Sequence, residues 1–238
     1  MEFEYALRDI EQAQNVGELS HVLTKLRDES DLTHLVYHAV HIPASDKKNP
    51  LLLQTYDSAW VRRYVERDYF RIDPVVTASS KGFLPIDWMT VDHHTTQARH
   101  FFAEAERYGV GRHGLTLPIR GPFGERALFT ITANTTDEHW HRWRSTHLRE
   151  FHLLADYFHD RAMRLSGLRH NHVIPPLSPR ERQCLEGLLQ GQTPGQVAAD
   201  LDLSASAVHT YLRKARQKLE CATLEQAIAK AIRFDIIE

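Results

Sequence analysis

The sequence predicts two domains of different fold class. The N-terminal domain is α+β, an α-β-α layer domain with an antiparallel sheet, and the C-terminal domain is all-α, with four helices. The chain has 238 residues, more than one domain usually needs. Roughly the first 165 residues mix strand-like and helical hydrophobic patterns, whereas the remainder is helical in pattern throughout. The proline pair Pro175-Pro176 separates the two patterns, because it resists both helix and strand.

We therefore place the N-terminal domain at residues 1–166, a linker at 167–176 and the C-terminal domain at 177–238. The composition, with 42% hydrophobic and 25% charged residues, excludes a disordered or collagen-like chain. The 29 basic and 31 acidic side chains give a net charge of -2, so the total charge does not indicate a nucleic-acid partner.

The expected compartment is the cytoplasm. The two cysteines, Cys184 and Cys221, are too few for a secreted disulfide scaffold and fit a reducing environment. The first residues, MEFEYALRDIEQAQ, lack the basic start and the apolar stretch of a signal peptide. No window approaches 18 consecutive apolar residues, so we expect no membrane-spanning helix and no membrane partner.

The N-terminal domain begins with two amphipathic helices, whose apolar residues recur at three-to-four spacing. These residues are Phe3, Leu7 and Ile10, then Leu19, Val22, Leu23 and Leu26. The β-branched and aromatic segment 33–42 leads through a turn-forming stretch into LLLQTY, which predicts a hairpin. A helix capped by Asp57 or Ser58 follows, and another covers Gln97 to Tyr108 and stops at Gly109.

A second hairpin is predicted by GLTLPI and ALFTITAN, which flank the turn RGPFGER. A long helix then runs from about His139 to Leu165 with a single apolar stripe. Because the strands come in hairpins and not in βαβ alternation, we expect an antiparallel sheet covered by helices.

Each of the four C-terminal helices has a start signal. Ser178 and Glu181 form a capping box around a proline at the first helical position. The other three helices start after Thr193, Ser204 and Thr223. The second and third helices are joined by a turn of about four residues and so form a helix-turn-helix.

The third helix has an apolar stripe and an opposite face that is polar and basic. The outward residues are Ser206, His209, Thr210, Arg213, Lys214 and Gln217, with Arg216 and Lys218 at the flanks. A helix in the DNA major groove presents short polar groups near its N-terminus and long donors that reach base edges and phosphates. This pattern predicts a DNA-binding face, and a solvated helix face is the alternative.

The segment LSPRERQCLEGLLQGQTPGQVAADLDLSASAVHTYLRKARQKL resembles the DNA-binding domain of LuxR-type transcription factors. The matching features are the Pro-Arg-Glu-Arg start, Leu185, the Gly191 helix stop, Ala198 and Val208. The resemblance implies that the third helix is the recognition helix, with His209 and Arg213 at the positions that meet bases.

Residues 1–165 lack the βαβ pattern and the acidic pocket of a response-regulator receiver. Instead, the spacing of five features resembles the acyl-homoserine-lactone-binding domain of quorum-sensing LuxR-type receptors. These features are Trp60, Tyr64, Asp73-Pro74, Trp88 and the strand that starts at Gly114. The chain is therefore similar to a quorum-sensing transcription factor over nearly its whole length.

The resemblance implies a pocket for a neutral N-acyl-homoserine lactone, which needs a few aimed polar groups in an apolar lining. At the ligand's head, Trp60 would donate to the lactone carbonyl, Asp73 would accept from the amide N–H, and Trp88 would pack on the lactone ring. Singly, such aromatic residues are more often core residues, and an aspartate before proline is more often a turn residue. Their joint spacing favours the pocket.

The resemblance also implies that Tyr56 and Thr130 donate to the acyl carbonyl and that Tyr64 lies along the tail. The strand pattern bears on Thr130 independently. Leu128, Thr130 and Thr132 alternate with a more apolar set and share the other face of the strand. Thr130 therefore faces either a different layer of the protein or solvent.

The implied partners are a pseudo-palindromic promoter site, a second copy of the chain and RNA polymerase. A two-fold axis that relates two recognition helices matches symmetric half-sites about one helical turn apart. The long helix and the last helix are the candidates for dimer contacts. The acyl chain, and the sign of the ligand's effect on DNA binding, stay open at this point.

Two other classes of function are weighed. The 16 histidines include close pairs that could share a zinc ion. These pairs are His93-His94, His139 with His141, and His170 with His172. Because there is no HExxH, GxSxG or phosphate-binding glycine loop, we expect no metal, no cofactor and no enzymatic activity. A ligand-independent regulator with the same fold is the second alternative.

Overall fold

The computed structural model describes residues 3–43, 45, 49–91, 95–169, 176–234 and 236–237. Most of the predicted linker lies outside these residues, as do His93, His94, His170 and His172. The chain divides into an N-terminal and a C-terminal compact unit. None of the helices in the described residues combines the length and the apolar character that crossing a membrane requires.

A five-stranded antiparallel sheet forms the centre of the N-terminal unit, in the order β2-β1-β5-β4-β3. The strands are β1 (His34–His41), β2 (Leu51–Gln54), β3 (Ile86–Asp87), β4 (His113–Arg120) and β5 (Arg126–Ala133). Both predicted hairpins are present, and they join through the pairing of β1 with β5. The predicted antiparallel sheet is therefore confirmed. The two-residue strand β3 is too short to give a period-two pattern and was not predicted.

One face of the sheet carries the main apolar core. It is covered by α1 (Phe3–Gln12), α2 (Val16–Glu29) and α6 (Asp137–Leu165). On this face Phe129 of β5 packs against Phe158 of α6, with 5.7 Å between ring centroids, and both side chains are fully buried. Thr136 caps α6, which begins two residues before the predicted start.

A polar network crosses this core and was not predicted from the sequence. The Tyr37 hydroxyl and His159 Nδ1 are 2.8 Å apart, and His159 Nε2 lies 3.0 Å from a carboxylate oxygen of Glu125. Arg169 donates to both carboxylate oxygens of Glu125, at 2.9 and 2.7 Å. Burial alone would raise the pKa of Glu125, but the hydrogen bonds from Arg169 and His159 hold this pKa below its usual value.

The opposite face of the sheet is covered by α3 (Ser58–Glu66), α4 (Pro74–Lys81) and α5 (Thr96–Arg107). With helices on both faces, the predicted α-β-α layering is confirmed. Helix α5 differs by one residue at each end from the prediction, and Gly109 follows it with a φ of +73°. Helix α4 was not predicted. Asp73, for which a turn was the alternative to a place in the pocket, is the N-cap of this helix, and Pro74 is its first residue.

The C-terminal unit consists of the four predicted helices. They are α7 (Pro179–Leu189), α8 (Pro194–Asp200), α9 (Ala205–Lys218) and α10 (Leu224–Arg233). The predicted capping box of Ser178 and Glu181 is present, and the caps Thr193, Ser204 and Thr223 each accept a backbone N–H. The core is formed by buried apolar residues of all four helices. The predicted all-α helix-turn-helix domain is therefore confirmed.

Candidate functional site

A cavity lies between the sheet and helices α3, α4 and α5 of the N-terminal unit. Its space is about 710 Å³ including its opening to solvent. The lining is mostly aromatic and aliphatic. It contains all six residues predicted from the sequence, namely Tyr56, Trp60, Tyr64, Asp73, Trp88 and Thr130. The structure thus brings the six together, and their roles toward a ligand stay predictions.

Asp73 is fixed in the wall by both of its carboxylate oxygens. Oδ1 accepts from the backbone N–H groups of Val75 and Val76, at 2.8 and 3.3 Å, and so caps α4. Oδ2 accepts from the Tyr64 hydroxyl at 2.7 Å. Burial raises the pKa of Asp73, although the three hydrogen bonds oppose the shift. The site therefore holds a carboxylate that is oriented but poorly solvated.

Trp60 and Tyr56 line the cavity, and each carries a donor group. The Trp60 side chain is 2% exposed and is surrounded by aromatic rings that include Tyr64, Tyr69 and Phe101. Among the described residues, neither the Trp60 indole N–H nor the Tyr56 hydroxyl makes a hydrogen bond with the protein. Burial and the nearby Asp73 charge both raise the pKa of Tyr56, so its hydroxyl keeps its proton at neutral pH.

Trp88 and Thr130 are linked through a residue that the sequence interpretation missed. Trp88 Nε1 donates to Thr116 Oγ1 at 3.0 Å, and Thr116 Oγ1 lies 3.0 Å from Thr130 Oγ1. Thr130 is 9% exposed, so the alternative that it faces solvent is wrong. Gly114 is the reason the Trp88 ring fits, because a Cβ on Gly114 would overlap that ring.

His38 and Gln54 also line the cavity and were not predicted. His38 Nε2 lies 2.8 Å from Asn49 Oδ1, and burial lowers the pKa of His38 to about 4. His38 is therefore neutral at pH 7. The signal that could have located both residues is register: Gln54 and Thr130 each pair with Val36, and His38 pairs with Leu128.

A separate candidate site is the outward face of α9. Val208, Leu212 and Ala215 are buried against the other helices, which leaves the polar and basic stripe outside. The exposed members of the predicted set are Ser206, His209, Arg213, Lys214 and Gln217, whereas Thr210 and Arg216 are partly buried. This face matches what the major groove requires of a recognition helix.

Two basic residues at the end of α9 are held by the protein itself. Arg216 donates to the carbonyl of Ala222 at 2.5 Å. Lys218 donates to the carbonyl of Pro176 at 3.0 Å and to Glu181 at 2.8 Å. The four close basic residues of this helix are thus not equivalent, and Arg213 and Lys214 make no such contact among the described residues.

In the described residues, no group of three or more histidine, cysteine, aspartate and glutamate side chains is placed to hold a metal ion. His139 and His141, the one close pair inside this part of the chain, both lie on α6. The other two pairs involve residues outside the description.

Comparison with known proteins identifies both units. Residues 15–162 match the family model described as autoinducer binding domain, and residues 175–231 match that of bacterial regulatory proteins of the luxR family. The chain is 48% identical over 180 residues to the transcriptional activator protein RaiR of Rhizobium etli, covering 76% of this chain and 74% of that protein. It is 26% identical to the quorum sensing-dependent transcriptional regulator VjbR of Brucella abortus, over 91% of this chain and 87% of that one.

Solved structures share the fold. The crystal structure of Escherichia coli SdiA aligns with a TM-score of 0.65 at 18% identity, covering 99% of this chain and 98% of that one. The N-acylhomoserine lactone dependent factor CepR2 of Burkholderia cenocepacia aligns with a TM-score of 0.58 at 17% identity, over 69% of this chain and 95% of that one. The chain therefore belongs to the LuxR family of quorum-sensing transcriptional regulators, with an autoinducer-binding domain followed by a DNA-binding helix-turn-helix domain.

Proposed function

We propose that the cavity binds an N-acyl-homoserine lactone and that the chain, as a dimer, binds a pseudo-palindromic promoter site. One observation carries the proposal: a mostly apolar cavity holds one oriented carboxylate, that of Asp73, and two donors without protein partners, those of Trp60 and Tyr56. Such a ligand carries one N–H donor and two carbonyl acceptors at its head. These three groups of the wall match the ligand's head in count and in type.

At the head of the ligand, we assign the amide N–H to Asp73, whose carboxylate is already oriented by α4 and Tyr64. The Trp60 indole N–H would donate to the lactone carbonyl, and the Trp88 ring would pack on the lactone. Each of these groups is costly to leave unpaired when water is excluded, at about 1 to 3 kcal/mol. The ligand would therefore be selected by the hydrogen bonds of its head.

Toward the tail, Tyr56 and Thr130 would donate to the acyl carbonyl. Thr130 can do so if Thr116, which accepts from Trp88, donates its own proton to Thr130, because each hydroxyl has one proton and two lone pairs. Tyr64 would lie along the acyl chain, next to Phe70, whose ring centroid is 4.8 Å away. The aliphatic lining supplies the rest of the affinity by burying the chain.

For DNA, we propose that α9 enters the major groove with His209 and Arg213 against base edges. Ser206, Thr210, Lys214, Arg216 and Gln217 would contact bases or phosphates around them. Residues 177–238, which we propose as the DNA-binding domain after residues 1–166 and a linker at 167–176, have eight basic and eight acidic side chains. Such a domain binds non-specific DNA weakly, so specific binding depends on the dimer and on moderate salt.

For the dimer, the exposed apolar side chains of two helices support the contact surfaces. On α6, Leu153 is 44% exposed and Tyr157 is 41% exposed, and on α10, Ile232 is 44% exposed. Such residues lower the free energy of a complex when a second copy covers them. The dimer would regulate transcription in the cytoplasm through RNA polymerase at the promoter, with no enzymatic activity of its own.

The experiment is purification of the full chain with and without acyl-homoserine lactones, followed by thermal unfolding. Bound lactone stabilises the fold by about 2.7 kcal/mol at a hundredfold excess over its Kd, so the unfolding temperature should rise. Trp60→Phe removes the indole N–H and should weaken lactone binding several-fold, whereas the control Trp143→Phe, in the main core, should not. No shift with any lactone, together with full DNA binding by the empty protein, would identify a ligand-independent regulator instead.

A further inference from the structure

Gln54 ends strand β2 and lines the cavity, yet the lactone head leaves it without a role. In register, Gln54 is opposite Val36 of β1, and Val36 is opposite Thr130 of β5. Residues paired across strands lie on the same face of the sheet, so Gln54 and Thr130 share the pocket face. Two strand spacings separate their backbones, which is about 10 Å. Gln54 thus lies two strands from the proposed position of the acyl carbonyl, on the pocket face along which the acyl chain would leave it.

The side-chain oxygen of Gln54 is buried and has no hydrogen-bond partner among the described residues. The neighbours that line the cavity beside it, Val36 and Leu52, offer only apolar groups. His38, further along the same face, already has Asn49 as its partner. An amide oxygen is an acceptor only, so the group that is missing beside Gln54 is a donor.

A simple acyl-homoserine lactone does not supply this donor. Its single N–H is assigned to Asp73, and its two carbonyls are assigned to Trp60 and to the pair Tyr56 and Thr130. A plain alkyl chain laid across Gln54 would leave the buried amide oxygen unpaired, as it is in the empty protein. A hydroxyl group on the acyl chain would donate to that oxygen and remove the penalty.

We propose that Gln54 is a specificity-determining residue, and that it selects a lactone whose acyl chain carries a hydroxyl close to the acyl carbonyl. This inference rests on the proposed lactone-binding function. The hydroxyl donates to Gln54 Oε1, and the remainder of the chain packs against the aliphatic wall. An oxo group in the same place is an acceptor and does not satisfy the oxygen, so it is disfavoured unless the carboxamide turns over.

The test measures the affinity of the full chain for three lactones of one chain length. The length is the one whose unsubstituted acyl-homoserine lactone gives the largest rise in unfolding temperature. The three probes are the unsubstituted, the 3-oxo and the 3-hydroxy compound. The wild type should bind the 3-hydroxy compound about 10- to 100-fold more tightly than the unsubstituted one, from the cost of an unpaired buried acceptor.

Gln54→Met keeps the shape of the side chain and removes the acceptor. It should abolish the preference by weakening the binding of the 3-hydroxy compound at least tenfold, while the unsubstituted compound binds equally well or better. Leu52→Met, two residues earlier on the same strand, is the matched control. It should change the affinity for the two compounds by the same factor and keep their ratio.

The outcomes separate this inference from the function beneath it. Equal wild-type affinities for the 3-hydroxy and unsubstituted compounds, or a preference for the 3-oxo compound, would overturn the role of Gln54 and leave the lactone receptor intact. A wild type that binds none of the three would overturn the lactone-binding function and this inference with it. The wild-type ranking needs no variant, so a Gln54→Met chain that fails to fold leaves the proposal testable.

Discussion

Replacing Asp73 by asparagine should have opposite effects on ligand affinity and on the stability of the empty protein. The carboxylate is buried, and burial raises its pKa in the folded chain. A raised folded-state pKa means that the ionised form opposes folding, so this cost appears as the pH rises above the unfolded value of 3.8. Asparagine carries no charge and remains a good N-cap for α4. At pH 7 the free energy of unfolding of the empty variant should therefore equal or exceed that of the wild type.

Ligand binding should change in the other direction. Asparagine removes a charged acceptor for the amide N–H, and a hydrogen bond to a charged group contributes about 1.5 to 3 kcal/mol. Lactone affinity should fall roughly 10- to 100-fold. At a lactone concentration of 100 times the wild-type Kd, the stabilisation of about 2.7 kcal/mol should fall to about 1.4 kcal/mol or less.

Chemical unfolding at pH 7 and near pH 3, with and without lactone, measures both effects. The difference in stability between the empty proteins should shrink at the acidic pH, because Asp73 is then protonated in both states. Asp73→Ala is the matched control, since it also removes the cap and should cost about 1 kcal/mol relative to asparagine. An asparagine variant that keeps wild-type affinity for lactone would refute the assignment of Asp73 to the amide.

Three further predictions concern other parts of the molecule. Gly114→Ala should destabilise the N-terminal domain by about 1 to 3 kcal/mol in denaturant unfolding, because the added Cβ overlaps the Trp88 ring. In the control Gly82→Ala the added Cβ meets open space, so the free energy of unfolding should change by less than about 0.5 kcal/mol. Arg213→Ala should cost about 1 to 3 kcal/mol of discrimination at one base position in a binding assay across operator variants, and equal weakening on every sequence would make it a phosphate contact. Glu125→Gln should destabilise the fold by about 3 kcal/mol at pH 7, because it breaks a buried ion pair with Arg169. Since the pKa of Glu125 in the folded chain lies below its usual 4.5, this difference should begin to shrink below pH 4.5 and disappear as the pH falls through the folded-state pKa. A difference that persists below that folded-state pKa would contradict the ion-pair role of Glu125.

The sequence predicts most of the fold because its local signals agree with the tertiary structure. The caps Ser178, Ser204 and Thr223 begin helices at the expected residues, and both hairpins follow from their turns. Helix α4 is the main omission. An aspartate before a proline is common both at turns and at helix starts, so the dipeptide alone does not distinguish the two. Here the helix is identified by the backbone N–H groups of Val75 and Val76, which donate to the Asp73 carboxylate.

The pocket is less accessible to sequence reasoning, because its polar groups meet through strand register. Thr116 and Thr130 are 14 residues apart and hydrogen-bond because β4 pairs with β5 at that point. Gln54 is in the pocket because β2 pairs with β1 in one register, and a shift of one residue would turn it to the other face. The resemblance to a known family indicated Trp60, Asp73 and Thr130, whereas it gave no signal for Thr116 or Gln54.

The charge of the recognition helix shows a similar limit. A count of basic residues includes Lys218 in the DNA-binding edge, yet its ammonium is paired with Glu181, 37 residues away. Burial alone would raise the pKa of Glu181, but this ion pair and the capping hydrogen bond at Ser178 hold it below its usual value. The partner of a long basic side chain depends on the packing of α7 against α9, which periodicity does not reveal.

The proposal that the cavity binds an N-acyl-homoserine lactone is tested most simply by asking which small molecule the protein retains. The full chain is produced in cells supplied with a mixture of acyl-homoserine lactones, and the molecule that copurifies with it is identified by mass spectrometry. We expect about one lactone per chain in the folded wild-type protein, and much less in Asp73→Asn purified in the same way. A folded wild-type protein that retains no lactone and binds its DNA site equally well without one would show that the chain is not a lactone receptor.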